Sequence, residues 1–169
     1  MLYHYSNMGS INQEQSPFRI AVIGGGIGGL FATLCIHHHC TTTPNTRPIQ
    51  IDIYEQASEY KEIGAGVGLG VNAARLVHKI GLGEKLNSFA GHRSGIWIDF
   101  RRYDNGEQIV ALPVQDTGAV RQAPCKRSDL LDMLRSAVEE RKAAKMWTSK
   151  RCNRVEVRTC TQIIPHPIR

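Results

Sequence analysis

The chain has 169 residues, 41% of them hydrophobic and 21% charged, which suits one domain around a single core. No apolar run approaches the ~20 residues of a membrane-spanning helix. The net charge of +6 is uneven: residues 141–169 carry eight Lys or Arg against the single acid Glu156, whereas residues 1–140 carry thirteen bases and fourteen acids, so a nearly neutral body argues against a nucleic-acid surface.

Residues 1–16 lack the cationic start and apolar centre of a signal peptide and are expected to form a loose, disordered leader. "FRIAVIG" at 18–24 is short, β-branched and closed by glycine, as a buried parallel strand would be. Ile27, Leu30, Phe31, Leu34 and Cys35 then recur at helical spacing, predicting an amphipathic helix from 27 to about 38. A polar, proline-containing loop at 40–48 leads to "IQIDIYEQ", an alternating second strand at 49–56 that runs up to Glu55. These pieces make a βαβ unit.

"EIGAGVGLGVNAARLVHKIGLG" is expected to be a glycine-rich loop entering a second helix, with Asn72 as N-cap and Ala73, Leu76, Val77 and Ile80 on its apolar face. "SGIWIDFRRYDNGEQIVAL" at 94–112 predicts an antiparallel hairpin, with Asn105-Gly106 supplying the positive φ angles of a tight turn. Ser128 is placed to cap a helix whose stripe is Leu130, Leu131, Leu134, Ala137 and Val138, ending near Lys142. "KMWTSK" reads as one more short strand. Beyond it the chain is basic and weakly patterned.

Gly24, Gly26 and Gly29 satisfy G-x-G-x-x-G between a strand and a helix. In a dinucleotide site the first glycine permits the tight turn, the second lets backbone approach the pyrophosphate, and the third lets helix and strand pack closely. The phosphates then meet the free N–H groups and positive dipole end of the helix. Glu55, 26 residues beyond Gly29, is placed to accept hydrogen bonds from ribose hydroxyls; the usual spacing is ~20, and the polar loop at 40–48 absorbs the excess. This first unit serves FAD and NAD sites alike.

The later segments "YKEIGAGVGLGVNAARLVHKIGL" and "CKRSDLLDML", taken with the glycine motif and "IYEQ", resemble the FAD-dependent monooxygenases related to salicylate hydroxylase and para-hydroxybenzoate hydroxylase, over roughly residues 18–150. The resemblance implies an α/β fold: a Rossmann-like FAD-binding βαβ core with a small antiparallel strand insertion. It implies close approach to the flavin at Gly64, Ala65, Gly66 and Gly68, and a flavin contact from Arg127. Lys126 stands where the family usually has histidine. It further implies NAD(P)H as co-substrate, dioxygen as oxidant and a small, usually aromatic, substrate.

The family's later Asp-Gly and Gly-Asp segments and its substrate-binding sheet do not follow residue 150, so the fold is expected to be truncated: an incomplete FAD-binding domain at 17–150 and a basic, weakly structured tail at 151–169. Two other readings stand beside a hydroxylase portion. One is a truncated, non-catalytic FAD- or nucleotide-binding protein. The other is an NAD-dependent dehydrogenase, which leaves Arg127 and the second glycine series without a use.

No catalytic residue is assigned in the chain. Cysteines at 35, 40, 125, 152 and 160 are odd in number and lack metal-ligand spacing, which indicates reduced thiols in the cytoplasm. His37, His38, His39 and Cys40 point in different directions from a helix end, so no metal is expected. His78, His92, Ser94, Cys125 and Ser128 have no visible catalytic partner. The oligomeric state is not legible.

Overall fold

The computed structural model describes residues 17–44, 47–60, 65–91 and 95–156. The leader, Gly64, His92, Ser94, Cys160 and the last part of the basic tail lie outside these residues. The described chain is α/β. The strand β1 (Phe18–Ile23), the helix α1 (Ile27–Thr42) and the strand β2 (Ile49–Tyr54) form the βαβ unit, with β1 and β2 parallel and in register from Phe18 opposite Ile49 to Ile23 opposite Tyr54.

α1 runs to Thr42, past the expected end near 38. The last turn is closed by the Thr43 N–H on the His39 carbonyl at 3.0 Å, and the Thr41 and Thr42 hydroxyls add second bonds to the His37 and His38 carbonyls at 2.9 and 2.8 Å, so these polar residues stay within the helix. Leu30 and Leu34 of the expected stripe are fully buried, with Ile27, Phe31 and Cys35 packed partly against the same core.

β2 departs from the expected alternation, because Ile51, Asp52 and Ile53 are all buried. It is the middle strand of a three-stranded sheet, order β1, β2, β9, where β9 (Lys145–Trp147) is also parallel to it. Burial of Asp52 is possible because its carboxylate has donors: Trp147 Nε1 to Oδ1 at 3.0 Å and Gln50 Nε2 to Oδ2 at 3.2 Å. Among the described residues β1 has no strand on its other edge, and Phe18 and Ile23 are 55% and 56% exposed.

The second glycine series is not the loop expected. Residues Gly66–Leu69 form β3, which pairs antiparallel with β8 (Ala123–Lys126). Helix α2 (Val71–Lys79) follows, with Gly70 and not Asn72 as its N-cap. Leu76 of its expected apolar face is 51% exposed, whereas Val71, Ala74 and Val77 are buried. A third helix, α3 (Gly83–Phe89), escaped the periodicity reading; its seven residues start on Leu82, which makes no side-chain cap.

The hairpin is present as β4 (Ile96–Arg101) and β5 (Gln108–Pro113). Its turn is wider than an Asn-Gly pair, spanning residues 102–107, and only Gly106 adopts positive φ, +74°. Asn105 instead accepts the Glu107 N–H on its side-chain oxygen at 3.0 Å. Two short strands, β6 (Asp116–Thr117) and β7 (Val120–Arg121), pair antiparallel before β8.

Helix α4 (Arg127–Glu140) buries every residue of the expected stripe and Met133 besides. Its N-cap is Lys126, without a side-chain cap, and the Ser128 hydroxyl donates to Asp129 Oδ1 at 3.2 Å. The chain reverses after α4 at Lys142, at φ 50°. α4 packs on α1, and Leu30, Leu34, Ile53, Leu134 and Val138 form the fully buried centre between the helices and the sheet.

Candidate functional site

The carboxyl end of β1 delivers the glycine turn. Gly24 sits at φ +99°, a conformation that side-chain-bearing residues rarely adopt. A Cβ on Gly29 would run into the Gly24 carbonyl oxygen, so this glycine allows the first turn of α1 to close against β1. Gly26 is different. It caps α1 with an extended backbone, φ -72° and ψ -178°, and a Cβ there would meet nothing within 4 Å. No fold contact requires glycine at 26.

The amino end of α1 has no side-chain cap and no acid in its first turn. The first intrahelical bond over Gly26 runs from the Leu30 N–H to the Gly26 carbonyl at 3.0 Å, so the N–H groups of the first turn are directed out of the helix. Their polarity and the helix dipole favour an anion.

Glu55 follows β2 and reaches back across this turn. Its Oε2 accepts the Gly25 N–H at 2.7 Å and its Oε1 the Ala57 N–H at 2.8 Å. Those backbone bonds, Ala57 first and Gly25 second, hold its carboxyl below the ordinary glutamate range despite an opposing contribution from burial. Each carboxylate oxygen retains a further acceptor site, so Glu55 can brace the turn and still receive a hydroxyl. The sequence reading had assigned it only the second task.

A cleft of about 370 Å³ opens beside Glu55, lined by Ile23, Gly24, Tyr54 and Gln56 and, on its far wall, Lys150, Arg151 and Cys152. The far wall is fixed by backbone bonds from Lys150 N to Glu55 O at 2.8 Å and from Ser149 N to Ala57 O at 2.9 Å. No periodic signal marks this wall, since residues 150–152 follow a three-residue strand and have no regular structure.

Tyr60 is the second residue that sequence reasoning missed. Its ring lies where a Gly25 side chain would be. Its hydroxyl is buried and has no hydrogen-bond partner among the described residues, and burial followed by the Glu55 charge pushes its pKa up.

The structure gathers the remaining candidates into a second group. The Arg127 N–H donates to the Ala65 carbonyl at 2.9 Å, and Gly66 pairs with Lys126 across β3 and β8. Ala65, Gly66 and the start of α4 are thereby neighbours. Gly68 has a local reason to be glycine, because the Trp97 ring from the hairpin lies 3.0 Å from where its Cβ would stand. At Gly66 an added Cβ would make only an ordinary 3.9 Å contact with the Cys125 carbonyl. An apolar groove of about 230 Å³ joins the two groups, with Ile27, Gly28 and Phe31 on one side and Val67, Leu69 and Leu130 on the other. Together these features can hold an anion at α1, hydroxyl groups at Glu55 and an apolar body between α1 and β3. Among the described residues no three His, Cys, Asp or Glu side chains are grouped as metal ligands.

No protein-family model matches the sequence. Individual proteins do. A salicylate hydroxylase of Pseudomonas putida is 31% identical over 133 residues, covering 75% of this chain and 28% of the relative. The FAD-dependent monooxygenase OpS4 of Beauveria bassiana is 36% identical over 105 residues, 60% of this chain and 21% of the relative. Among solved structures, 2-methyl-3-hydroxypyridine-5-carboxylic acid oxygenase aligns with a TM-score of 0.59 at 18% identity, over 79% of this chain and 32% of the other. The flavin-dependent monooxygenase PieE, solved with FAD and substrate, aligns at 0.56 and 13% identity, over 79% and 24%. The chain is thus related, over most of its own length and about a quarter of theirs, to the FAD-dependent monooxygenases of the salicylate hydroxylase kind.

Proposed function

We propose that this chain is the FAD-binding portion of a flavin-dependent monooxygenase that uses NAD(P)H and dioxygen to hydroxylate a small, aromatic substrate. The observation that carries the reading is the uncapped amino end of α1 beside Gly26, with room for a phosphate where any side chain would stand. The residues present fit FAD. The α1 N–H groups would hold the pyrophosphate, Glu55 the adenosine ribose, and Ala65, Gly66, Gly68 and Arg127 would lie along the flavin. On this reading the βαβ unit is Rossmann-like.

Bound FAD would supply the electron transfer and oxygen activation. The chain's part is to bind and orient it: Gly24 and Gly29 shape the turn, Glu55 fixes Gly25, and Arg127 offers a cation near a ring that becomes electron-rich on reduction. Among the described residues Cys35, Cys40, Cys125 and Cys152 form no disulfide, which favours a reducing, cytoplasmic setting; no helix of the described residues is long and apolar enough to cross a membrane.

A second reading, nucleotide binding without catalysis, is favoured by the outer edge of β1, which pairs with no strand among the described residues, and by the exposed hairpin, where Ile96, Ile98 and Phe100 are 40–48% exposed. Hydroxylation needs the reacting centre closed from water, and these surfaces close nothing. Titration of the purified chain with FAD, followed by NADPH and a panel of phenolic acids, separates the readings. The expected result is saturable flavin binding without oxygenated product from the isolated chain. Coupled product formation at roughly 1 per second or faster would refute the non-catalytic reading. Absence of FAD binding at any concentration would remove the first.

A further inference from the structure

A cleft of about 670 Å³ lies at the opposite end of the sheet from the glycine turn, about 20 Å away by the rise of six strand residues. It is bounded by the carboxyl ends of α1 and α4 and by the first residues of β2 and β9. Cys40, Thr41, Arg47 and Pro48, from the stretch that lengthens the spacing between glycine motif and acid, line it and have no part in the function proposed above.

The cleft is lined by three exposed cations, Arg47, Lys142 and Lys145, and one acid, Glu139. That acid is already engaged by Arg135 on its own helix at 3.2 Å. Lys142 lies just past a helix carboxyl end, where the dipole favours a cation. That account does not extend to Lys145, which opens β9. Neither Lys142 nor Lys145 forms an ion pair among the described residues. His37 is also in the wall, and burial, followed by Arg141 and His38, lowers its pKa. The floor is apolar: Ile51 and Ala143 are 3% and 5% exposed, with Ile49 and Ala144 beside them.

We propose that this cleft binds a small organic anion with an apolar body, its acid group held by Arg47, Lys142 and Lys145 and its body resting on Ile49 and Ala144. Volume, charge and floor agree: ligand sites commonly occupy ~300 to 1,000 Å³ and combine an apolar lining with a few convergent polar groups. The site is independent of the flavin reading, since it shares no residue with the glycine turn, Glu55 or Arg127.

The test is a titration of the full chain with 2-naphthoate, followed by amide proton–nitrogen correlation spectra. Saturable shifts are expected at Gln50, Ile51, Ala143 and Ala144, with Gly24 to Gly29 unmoved. Lys142→Gly suits the left-handed backbone at that position and removes the charge without strain; combined with Lys145→Gln it is expected to weaken binding about tenfold. Should the double variant fail to fold, Arg47→Gln, in a loop, serves the same comparison. Unchanged affinity in folded variants, shifts confined to the glycine turn or the exposed hairpin, or inorganic phosphate binding as tightly as 2-naphthoate would each overturn the proposal.

Discussion

Gly26→Ala tests whether this glycine serves a ligand, as proposed, while Gly24 and Gly29 serve the fold. At φ -72° and ψ -178° an alanine fits the backbone, and its methyl group would meet no atom within 4 Å. Replacing glycine on such a backbone gains ~0.4 to 1 kcal/mol through the unfolded chain's lost freedom, and because Gly26 is the N-cap of α1 alanine gives back a similar ~0.5 to 1 kcal/mol, so Tm should move by no more than about 2 °C. The same methyl group projects into the space through which a pyrophosphate must approach the α1 N–H groups. Loss of one hydrogen bond to a charged oxygen costs ~1.5 to 3 kcal/mol, or about 10- to 150-fold in affinity. Thermal unfolding by circular dichroism and titration with FAD or ADP read the two effects separately. A variant that melts within about 2 °C of the parent and binds at least tenfold more weakly is the expected outcome. Unchanged nucleotide affinity would refute the placement of the phosphates, and a larger fall in Tm would refute the claim that no fold contact requires glycine there.

The other glycine gives the opposite pattern: Gly29→Ala forces a methyl group onto the Gly24 carbonyl and is expected to lose ~1 to 3 kcal/mol as overpacking does, seen as a lower denaturation midpoint. Glu55 has a depressed folded pKa, so its contribution is complete above the ordinary glutamate pKa of about 4.3 and disappears as pH falls through the lower folded value. Glu55→Gln should therefore flatten the stability profile on the acid side, and an unaltered profile would exclude the bonds to Gly25 and Ala57 as its source. Tyr60→Phe removes a buried hydroxyl that has no partner among the described residues and is expected to leave Tm unchanged or raised, because an unsatisfied buried group costs ~1 to 3 kcal/mol; a clear fall in Tm would mean that the hydroxyl is bonded. Trp147→Phe takes the indole donor from Asp52 and should destabilise by a similar ~1 to 3 kcal/mol, checked by urea denaturation.

The first βαβ unit was legible because several independent signals coincide at residues 18–55: a β-branched run, a glycine motif with different steric demands at each position, an amphipathic stripe and an acid at a strand end. Helix α4 was legible for the same reason, its five-residue stripe being buried throughout. β3 was not, because a strand of Gly-Val-Gly-Leu shows neither alternation of polarity nor β-branching beyond Val67, and its existence depends on β8, more than fifty residues away. The cap assignments at Asn72 and Ser128 failed where a good capping residue lay one or two positions inside the helix; residue type alone does not fix which turn comes first. In the candidate site, the glycines and Glu55 could be named from spacing, but the bond from Gly25 to Glu55, the ring of Tyr60 and the wall at 150–152 arise from tertiary approach that spacing does not encode.

The one-sided sheet bears on how long a nucleotide would stay. In open parallel sheets a ligand at the carboxyl end of a strand sits where the strand order reverses and is flanked by loops from both directions. Here the order runs from β1 through β2 to β9, so a nucleotide at the glycine turn would touch protein on the β2 side and, among the described residues, no strand on the other. Such a half-crevice hardly hinders encounter, but it does little to slow escape, and differences in affinity between related complexes lie mostly in the dissociation rate. The chain would then saturate with FAD in a titration and yet emerge colourless from a gel-filtration column, its flavin lost during the run.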